Sequence, residues 1–152
     1  MSSIVWSVPA MCMVPTAETA RQNKYVTTAG RIKFRAGQSG TIAFLAPVNV
    51  PLPQGEYFLR AHLERTVPDL LGTKIQLRRA RRSNGAVSTL LTCVGVQRGP
   101  VQNNIRITDS DAKKFELDVD TYYYWVQVND VSPQPATSTT VKAVLGVGLG
   151  RR

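Results

Sequence analysis

The most regular pattern along this chain is a two-residue alternation of apolar and polar side chains. In residues 30–36 the apolar residues take every second position and the cations take the positions between them. The alternation returns in residues 56–65 and again in residues 139–149. Because successive side chains of a β-strand point to opposite faces, this pattern predicts strands with one buried face.

Turn signals divide these strands from one another. A glycine-containing turn at 37–40 follows the first strand, and we interpret residues 41–48 as its hairpin partner. Ser83, Asn84 and Gly85 supply a second hairpin turn, between residues 73–82 and 86–96. The segment 86–96 is apolar on both faces, which predicts a central strand. The strongest strand signal is residues 121–129, dense in the aromatic and β-branched types that favour a pleated sheet.

The elements together predict an all-β fold. No segment keeps a helical period over about ten residues, the length expected of a helix. Many short strands without interleaved helices predict an antiparallel, jelly-roll-like β-sandwich of about eight to ten short strands. Residues 1–28 show little periodicity and are predicted to form an N-terminal arm or irregular segment. Residues 29–152 are predicted to form the sandwich domain.

The net charge of the chain indicates which kinds of partner it could bind. The chain has 152 residues, with 19 lysines and arginines against 10 aspartates and glutamates, and a formal net charge of +9. Such a balance favours an acidic partner, such as nucleic acid, a membrane surface, a sugar acid or an acidic protein assembly. No apolar run approaches the roughly 20 residues that a membrane span needs, so we expect no membrane partner. The opening residues lack the features of a signal peptide, and we expect synthesis in a reducing cytoplasm.

The chain offers little for catalysis. His62 is its single histidine and falls on the polar face of a predicted strand, with no nucleophile motif beside it. Cys12 and Cys93 match no metal or redox spacing, and we expect two reduced thiols. Asp118 and Asp120 share one face of a strand, which suits a solvated surface better than a calcium loop. We therefore predict no enzyme activity, no bound metal and no cofactor.

Three groups of side chains are candidates for binding a partner. The first is the apolar N-terminal stretch, which we expect to dock on a neighbouring subunit. The second is cationic and comprises a stripe on one strand and a cluster around the predicted hairpin tip. The third is a pair of aromatic residues on the opposite face from Tyr122 and Tyr124. The candidate residues are Ile4, Trp6, Met11, Met13, Arg31, Lys33, Arg35, Arg78, Arg79, Arg81, Arg82, Tyr123 and Trp125.

The end of the chain resembles a known class of viral proteins. The residues that carry the resemblance are Phe115-Glu-Leu-Asp-Val-Asp-Thr-Tyr-Tyr-Tyr-Trp-Val-Gln-Val, then a polar loop and Val141-Lys-Ala-Val-Leu-Gly-Val. They are similar to the closing strands of small jelly-roll β-sandwich domains in tailed-phage structural proteins. These proteins include head cement or decoration proteins, head fibres and receptor-binding modules. The resemblance implies a virion protein but assigns a role to no single residue.

Resemblance and charge together favour a capsid cement or decoration protein. Such a protein would bind and stabilise the major capsid shell through surface contacts and the N-terminal arm. The expected partners are the major capsid protein, other virion subunits and further copies of this chain on the lattice. Its expected location is the capsid surface of the virion, after synthesis in the host cytoplasm.

Two alternatives remain open at the level of sequence. The first is a carbohydrate- or receptor-binding module of the phage fibre or spike type, with Tyr123 and Trp125 as the sugar platform. The second is a nucleic-acid-binding β domain or a small capsid subunit. Nucleic acid is the less favoured ligand, because residues 1–28 contain only two cations, Arg21 and Lys24.

Overall fold

The alternating segments form two antiparallel β-sheets whose apolar faces pack together. The computed structural model describes residues 3–28, 30–65, 72–94, 101–102, 105–132 and 142–152. One sheet has eight strands and the other has five. The predicted antiparallel β-sandwich is therefore confirmed, with more strands than the predicted eight to ten, because several pairings are too short to leave an alternation in the sequence.

The strands follow one another with little helix between them. They are β1 (Ser3–Pro9), β2 (Val14–Pro15), β3 (Tyr25–Thr28), β4 (Arg31–Phe34), β5 (Gly40–Val48), β6 (Leu52–Arg65), β7 (Thr73–Arg81), β8 (Val87–Val94), β9 (Val101–Gln102), β10 (Ile105–Asp109), β11 (Lys113–Leu117), β12 (Tyr122–Ser132) and β13 (Lys142–Arg151). A 3-10 turn spans Ala10–Cys12, and a short helix, α1, spans Ala17–Gln22. Within the described ranges, no helix is long and apolar enough to cross a membrane.

The eight-stranded sheet is built around its two long strands, β6 and β13. Its order is β3-β4-β13-β6-β10-β9, with β1 also paired to β13 and β11 also paired to β6. The five-stranded sheet has the order β2-β5-β12-β7-β8. The aromatic strand β12 therefore lies at the centre of the smaller sheet, paired over nine positions with β5 on one side and with β7 on the other.

The hydrophobic core fills the space between the two sheets. Phe44 of β5 packs edge-on against Tyr25 of β3, with 4.9 Å between their ring centroids, and so joins the two sheets. Inward positions of the long strands supply most of the rest. The fully buried apolar side chains of this core include Ile32, Ile42, Leu59, Leu63, Ile75, Leu77, Leu91, Val126 and Leu149.

The predicted N-terminal arm is instead an integral part of the sandwich. Ser3–Pro9 pairs with β13, and Gly146 and Gly148 of β13 let it approach closely. A Cβ on either glycine would lie within 3.1 Å of a carbonyl oxygen of β1. Further along, Thr16 caps the N-terminus of α1, and its side chain accepts a hydrogen bond from the Thr19 amide.

Three predicted strand relationships differ from those observed. The turn at 37–40 does not join a hairpin, because β4 pairs with β3 and β13 whereas β5 belongs to the other sheet. The segment predicted as a central strand, β8, lies at an edge, and only Leu91 and Cys93 of it are buried. A bulge between Val144 and Gly146 shifts the alternation of β13, so that Val144, rather than Leu145, joins the core.

The two cysteines are free and differ in exposure, which gives a simple test of the fold. Cys12 is exposed, whereas Cys93 is buried. Burial raises the pKa of the Cys93 thiol to about 11, and the thiolate is the reactive form. We expect iodoacetamide at pH 8 to label one thiol per folded chain and both thiols after denaturation. Rapid labelling of both thiols in the folded protein, measured by mass spectrometry, would contradict the packing of β8.

Candidate functional site

The outward face of the five-stranded sheet is the candidate functional site, and we call it the β12 face. At its centre, Tyr124, Val126 and Val128 point into the core and are buried, so the residues between them point outwards. Their cross-strand neighbours on β7 share that face. The β12 face is defined by Tyr123, Trp125, Gln127, Asn129, Lys74, Gln76 and Arg78.

Along β12 the outward side chains form one connected row. The Trp125 indole Nε1–H donates to Gln127 Oε1 at 3.4 Å, and Gln127 Nε2 donates to Asn129 Oδ1 at 3.4 Å. Successive members of the row are roughly 7 Å apart, two residues of strand rise. Each amide has two donor hydrogens and an acceptor oxygen. The row therefore offers an indole and two amides with spare hydrogen-bonding capacity.

Cations lie directly beside this row. Arg78 is opposite Trp125 in the strand pairing, and its guanidinium carbon is 6.0 Å from the indole centroid. Lys74 is opposite Asn129 and is exposed. Arg82 lies over the ring of Tyr123 at 3.9 Å. Tyr123 itself is 56% exposed, so the aromatic end of the row is open to a ligand.

The remaining arginines of the cluster surround the tip of the β7–β8 hairpin, as predicted. Arg79 lies 4.0 Å from the centroid of Tyr122, and Arg81 donates a hydrogen bond to the Tyr122 hydroxyl at 3.2 Å. The turn closes through Asn84, whose side-chain oxygen accepts from the amide of Ala86. These two arginines point to the end of the sandwich rather than onto the β12 face.

The second cationic group lies on the other sheet. Arg31 forms a bidentate ion pair with Glu64, with both contacts at 2.9 Å. Arg35 donates to the backbone and side-chain oxygens of Asn23. Lys33 lies between them on β4 and is half-buried. The predicted stripe of Arg31, Lys33 and Arg35 is therefore separate from the aromatic pair, and its first member is neutralised by Glu64.

The four apolar N-terminal candidates divide by burial. Met13 is 7% exposed and belongs to the core, and half-buried Trp6 packs against that core. Ile4 and Met11 are exposed, at 44% and 59%. The structure thus uses the segment to complete the domain's own sheets, and of these four candidates Ile4 and Met11 remain available to a partner.

The residues considered for catalysis or metal binding have local roles. His62 is half-buried on the eight-stranded sheet, and its pKa is lowered by burial first and by the charge of Arg60 second. Asp118 accepts hydrogen bonds from the Thr121 hydroxyl and the Asp120 amide, and the Thr121 bond lowers the pKa of Asp118. The part of the chain that the structure describes contains no group of three or more histidine, cysteine or acidic residues placed to hold a metal ion.

Sequence reasoning identified Tyr123 and Trp125 but not their polar neighbours. Gln127 and Asn129 follow Trp125 at two-residue intervals, so the alternation of one strand already placed them on its face. Lys74 and Gln76 could not be found in this way, because their position depends on the register between β7 and β12. That register is a long-range pairing with no signal in either segment alone.

Comparison with known proteins adds likenesses of fold only. No protein-family profile and no curated protein matches the chain. Among solved structures, a family 61 carbohydrate-binding module in complex with β-1,4-galactotriose is 11% identical, with a TM-score of 0.39, over 99% of this chain and 88% of that one.

Two further solved structures show a likeness of the same kind. Murine APRIL at pH 5.0 is 14% identical, with a TM-score of 0.36, over the whole of both chains. The Eiger TNF of S. frugiperda is 15% identical, with a TM-score of 0.35, over 78% of this chain and 88% of that one. At these TM-scores the likeness does not extend to a shared site.

Proposed function

We propose that the chain is a carbohydrate-binding domain without catalytic activity, and that its ligand lies across the β12 face. The observation that carries this proposal is the row of Trp125, Gln127 and Asn129, joined by hydrogen bonds on an open sheet surface. A sugar ring presents an apolar face and a rim of hydroxyl groups. An indole beside two amides matches both features, because the ring supplies an apolar surface and each amide both donates and accepts hydrogen bonds.

The position of the row on the sheet supports the same function. β12 is the central strand, held on both sides by β5 and β7, so its outward side chains have a fixed spacing. A fixed spacing lowers the conformational entropy lost when a ligand binds. Gln76 and Thr92 extend the polar surface to the neighbouring strands, since they pair in register with Gln127 and with each other.

A panel of soluble polysaccharides tests this proposal by isothermal titration calorimetry. The panel contains xylan, galactan, mannan, dextran and polygalacturonate. We expect at least one polymer to bind, and Trp125→Ala to weaken that binding at least about tenfold, which corresponds to roughly 1.4 kcal/mol. Trp125→Phe keeps an aromatic surface and should retain most of the affinity. The absence of binding to any polymer would contradict the proposal.

The matched control for this experiment is Gln54→Ala. Gln54 is an exposed glutamine on β6, a strand of the other sheet, so its loss should leave the affinity unchanged. Gln127→Ala, which removes the same side chain from the β12 face, should weaken binding. Equal affinities for these two variants would show that the ligand does not lie on the β12 face.

A second candidate is a virion structural protein that binds capsid subunits or other copies of this chain. One observation favours it specifically: exposed valines border the β12 face. Val14 lies on β2, and Val87 and Val94 lie on β8, the two edge strands of the sheet. Apolar side chains around a central tryptophan suit a protein interface. The resemblance of residues 115–128 to tailed-phage structural proteins and the net charge of +9 support the same role.

Copurification distinguishes the two candidates. A capsid cement protein should be recovered with particles in a fixed ratio to the shell subunit. Val14→Asp should abolish that association, because it places a charge in an apolar contact, and should leave polysaccharide binding in place, since β5 separates Val14 from the row on β12. Failure to copurify with particles, together with polysaccharide binding that depends on Trp125, would exclude the structural role.

A further inference from the structure

We infer that the polymer bound by the β12 face is an acidic polysaccharide, one whose sugars carry carboxylate or sulfate groups. This inference rests on the proposed function and adds the chemical class of the ligand. Lys74 and Arg78 lie on the face, and Arg82 adjoins it beside Tyr123. They place three positive charges along a surface whose other polar groups are neutral.

No carboxylate balances these charges on the β12 face. The strands β2, β5, β7, β8 and β12, all of them described, contain one acidic residue between them, Asp130. Asp130 points inwards, is 1% exposed and accepts a hydrogen bond from the Thr73 hydroxyl at 2.8 Å. Among the residues of these five strands, the outward face therefore carries cations and no carboxylate.

The cations of the two sheets differ in whether they form ion pairs. In the described ranges, the ion pairs are Arg31–Glu64 at 2.9 Å and Arg60–Asp109 at 2.7 Å, and both lie on the eight-stranded sheet. Within the same described ranges, Lys74, Arg78 and Arg82 form no ion pair with a carboxylate. A cation left without its counter-charge on an open face is available for an anionic ligand, and charge complementarity of this kind gives specificity and fast association.

The arginines are also held in place for such a ligand. Arg78 Nε donates to the Thr89 hydroxyl at 3.2 Å, and Arg82 Nε donates to the carbonyl oxygen of Val119 at 2.8 Å. Each guanidinium has five N–H donors in a rigid plane, so most of them stay free. Carboxylate and sulfate oxygens accept paired hydrogen bonds from such a plane.

The neutral residues of the β12 face favour a polysaccharide over other negatively charged polymers. Gln76, Gln127 and Asn129 occupy the middle of the sheet, between the cations. A hydroxyl-rich chain satisfies these amides along its length. A single-stranded nucleic acid is bound by cations together with a series of aromatic side chains on which successive bases stack, and the face offers two such side chains, Trp125 and Tyr123, on one strand.

Matched pairs of polymers test the inference by calorimetry. Dextran sulfate is compared with dextran, and de-esterified polygalacturonate with its methyl ester, so that only the charge differs within each pair. We expect the charged member of at least one pair to bind at least about tenfold more tightly, with a difference that shrinks at high salt because mobile ions screen exposed charges. The pair that shows the difference identifies sulfate or carboxylate as the recognised group.

Substitutions test whether the preference for the charged polymer depends on the cations of the β12 face. Arg78→Gln and Lys74→Gln should reduce the preference for the charged polymer. The controls Arg35→Gln, directly after β4, and Lys114→Gln, on β11, remove exposed cations away from the β12 face and should leave that preference intact. Equal losses from all four variants would show a response to net charge alone and would overturn the inference.

The remaining outcomes separate the inference from the proposed function. Equal binding of the charged and neutral members of both pairs, still dependent on Trp125, would overturn the inference and leave the carbohydrate-binding function standing. No binding to any polysaccharide would overturn both. Single-stranded DNA that binds more tightly than either charged polymer at the same salt concentration, and loses affinity in Arg78→Gln, would replace the polysaccharide with a nucleic acid.

Discussion

A chain lacking residues 1–15 is expected to be unfolded, or to melt far below the full-length protein. The deletion removes β1 from the side of β13 and takes Ala10 and Met13 out of the core. Half-buried Trp6 packs against the same core. Burying one large apolar side chain contributes roughly 1.5–3 kcal/mol, and a whole domain is stable by only about 5–15 kcal/mol. Circular dichroism during heating measures the loss.

Two methionines of this segment provide a matched control. Met13 is buried, whereas Met11, two residues earlier, is 59% exposed. We expect Met13→Ala to lower the free energy of unfolding by about 2–5 kcal/mol, and Met11→Ala to change it by less than about 0.5 kcal/mol. Equal effects of the two substitutions, or a truncated chain that stays folded with an unchanged melting temperature, would restore the idea of a free docking arm.

Gly150→Ala is expected to destabilise the domain although it adds a single methyl group. Gly150 lies opposite Phe58 across β13 and β6, and a Cβ at this glycine would overlap the Phe58 ring. That ring is buried on the outward side of the sheet, beneath the guanidinium groups of Arg60 and Arg152. Because the ring must move out of this packed position, we expect a loss of about 1–3 kcal/mol in chemical denaturation.

A double-mutant cycle tests whether the Phe58 ring causes the destabilisation by Gly150→Ala. In a Phe58→Ala background the ring is absent, so Gly150→Ala should cost less than about 0.5 kcal/mol, and the two substitutions should be strongly coupled. An equal cost of Gly150→Ala in both backgrounds would show that the backbone of β13, and not the aromatic ring, needs the glycine.

The parts of the fold that a strand encodes by itself were predictable from the sequence. Alternation placed Tyr124 inside and Tyr123 outside on β12, and the Asn84-Gly85 turn defined the β7–β8 hairpin. Each of these features depends on neighbours two to four residues away. The same local logic placed Trp125 on the face opposite Tyr124.

Features that depend on distant partners were not predictable in this way. The apolar character of β8 suggested a central strand, yet its place at an edge depends on which strands pair with β7. The bulge in β13 reverses the alternation after Val144, and its partner is β6, about eighty residues earlier. The N-terminal segment showed no periodicity because prolines interrupt it, and its close approach to β13 depends on Gly146 and Gly148.

The candidate site shows the same division. Trp125, Gln127 and Asn129 could be placed on one face from β12 alone, whereas Lys74 and Arg78 joined them through the β7–β12 register. The cluster of four arginines could be recognised in the sequence. Its division into Arg78 and Arg82 beside the β12 face, and Arg79 and Arg81 at the end of the sandwich, required the observed cation–aromatic contacts.

The central claim is that the ligand lies on the β12 face, and a nuclear magnetic resonance titration tests it most directly. The probe is an oligosaccharide of the polymer that binds most tightly in calorimetry. The Trp125 indole N–H and the side-chain amides of Gln127 and Asn129 are separate reporters on the face, and His62 and Gln54 report on the opposite sheet. We expect the three β12 reporters to shift as the probe is added, while the signals of His62 and Gln54 stay in place. Shifts confined to His62, Gln54 and their neighbours would contradict the account.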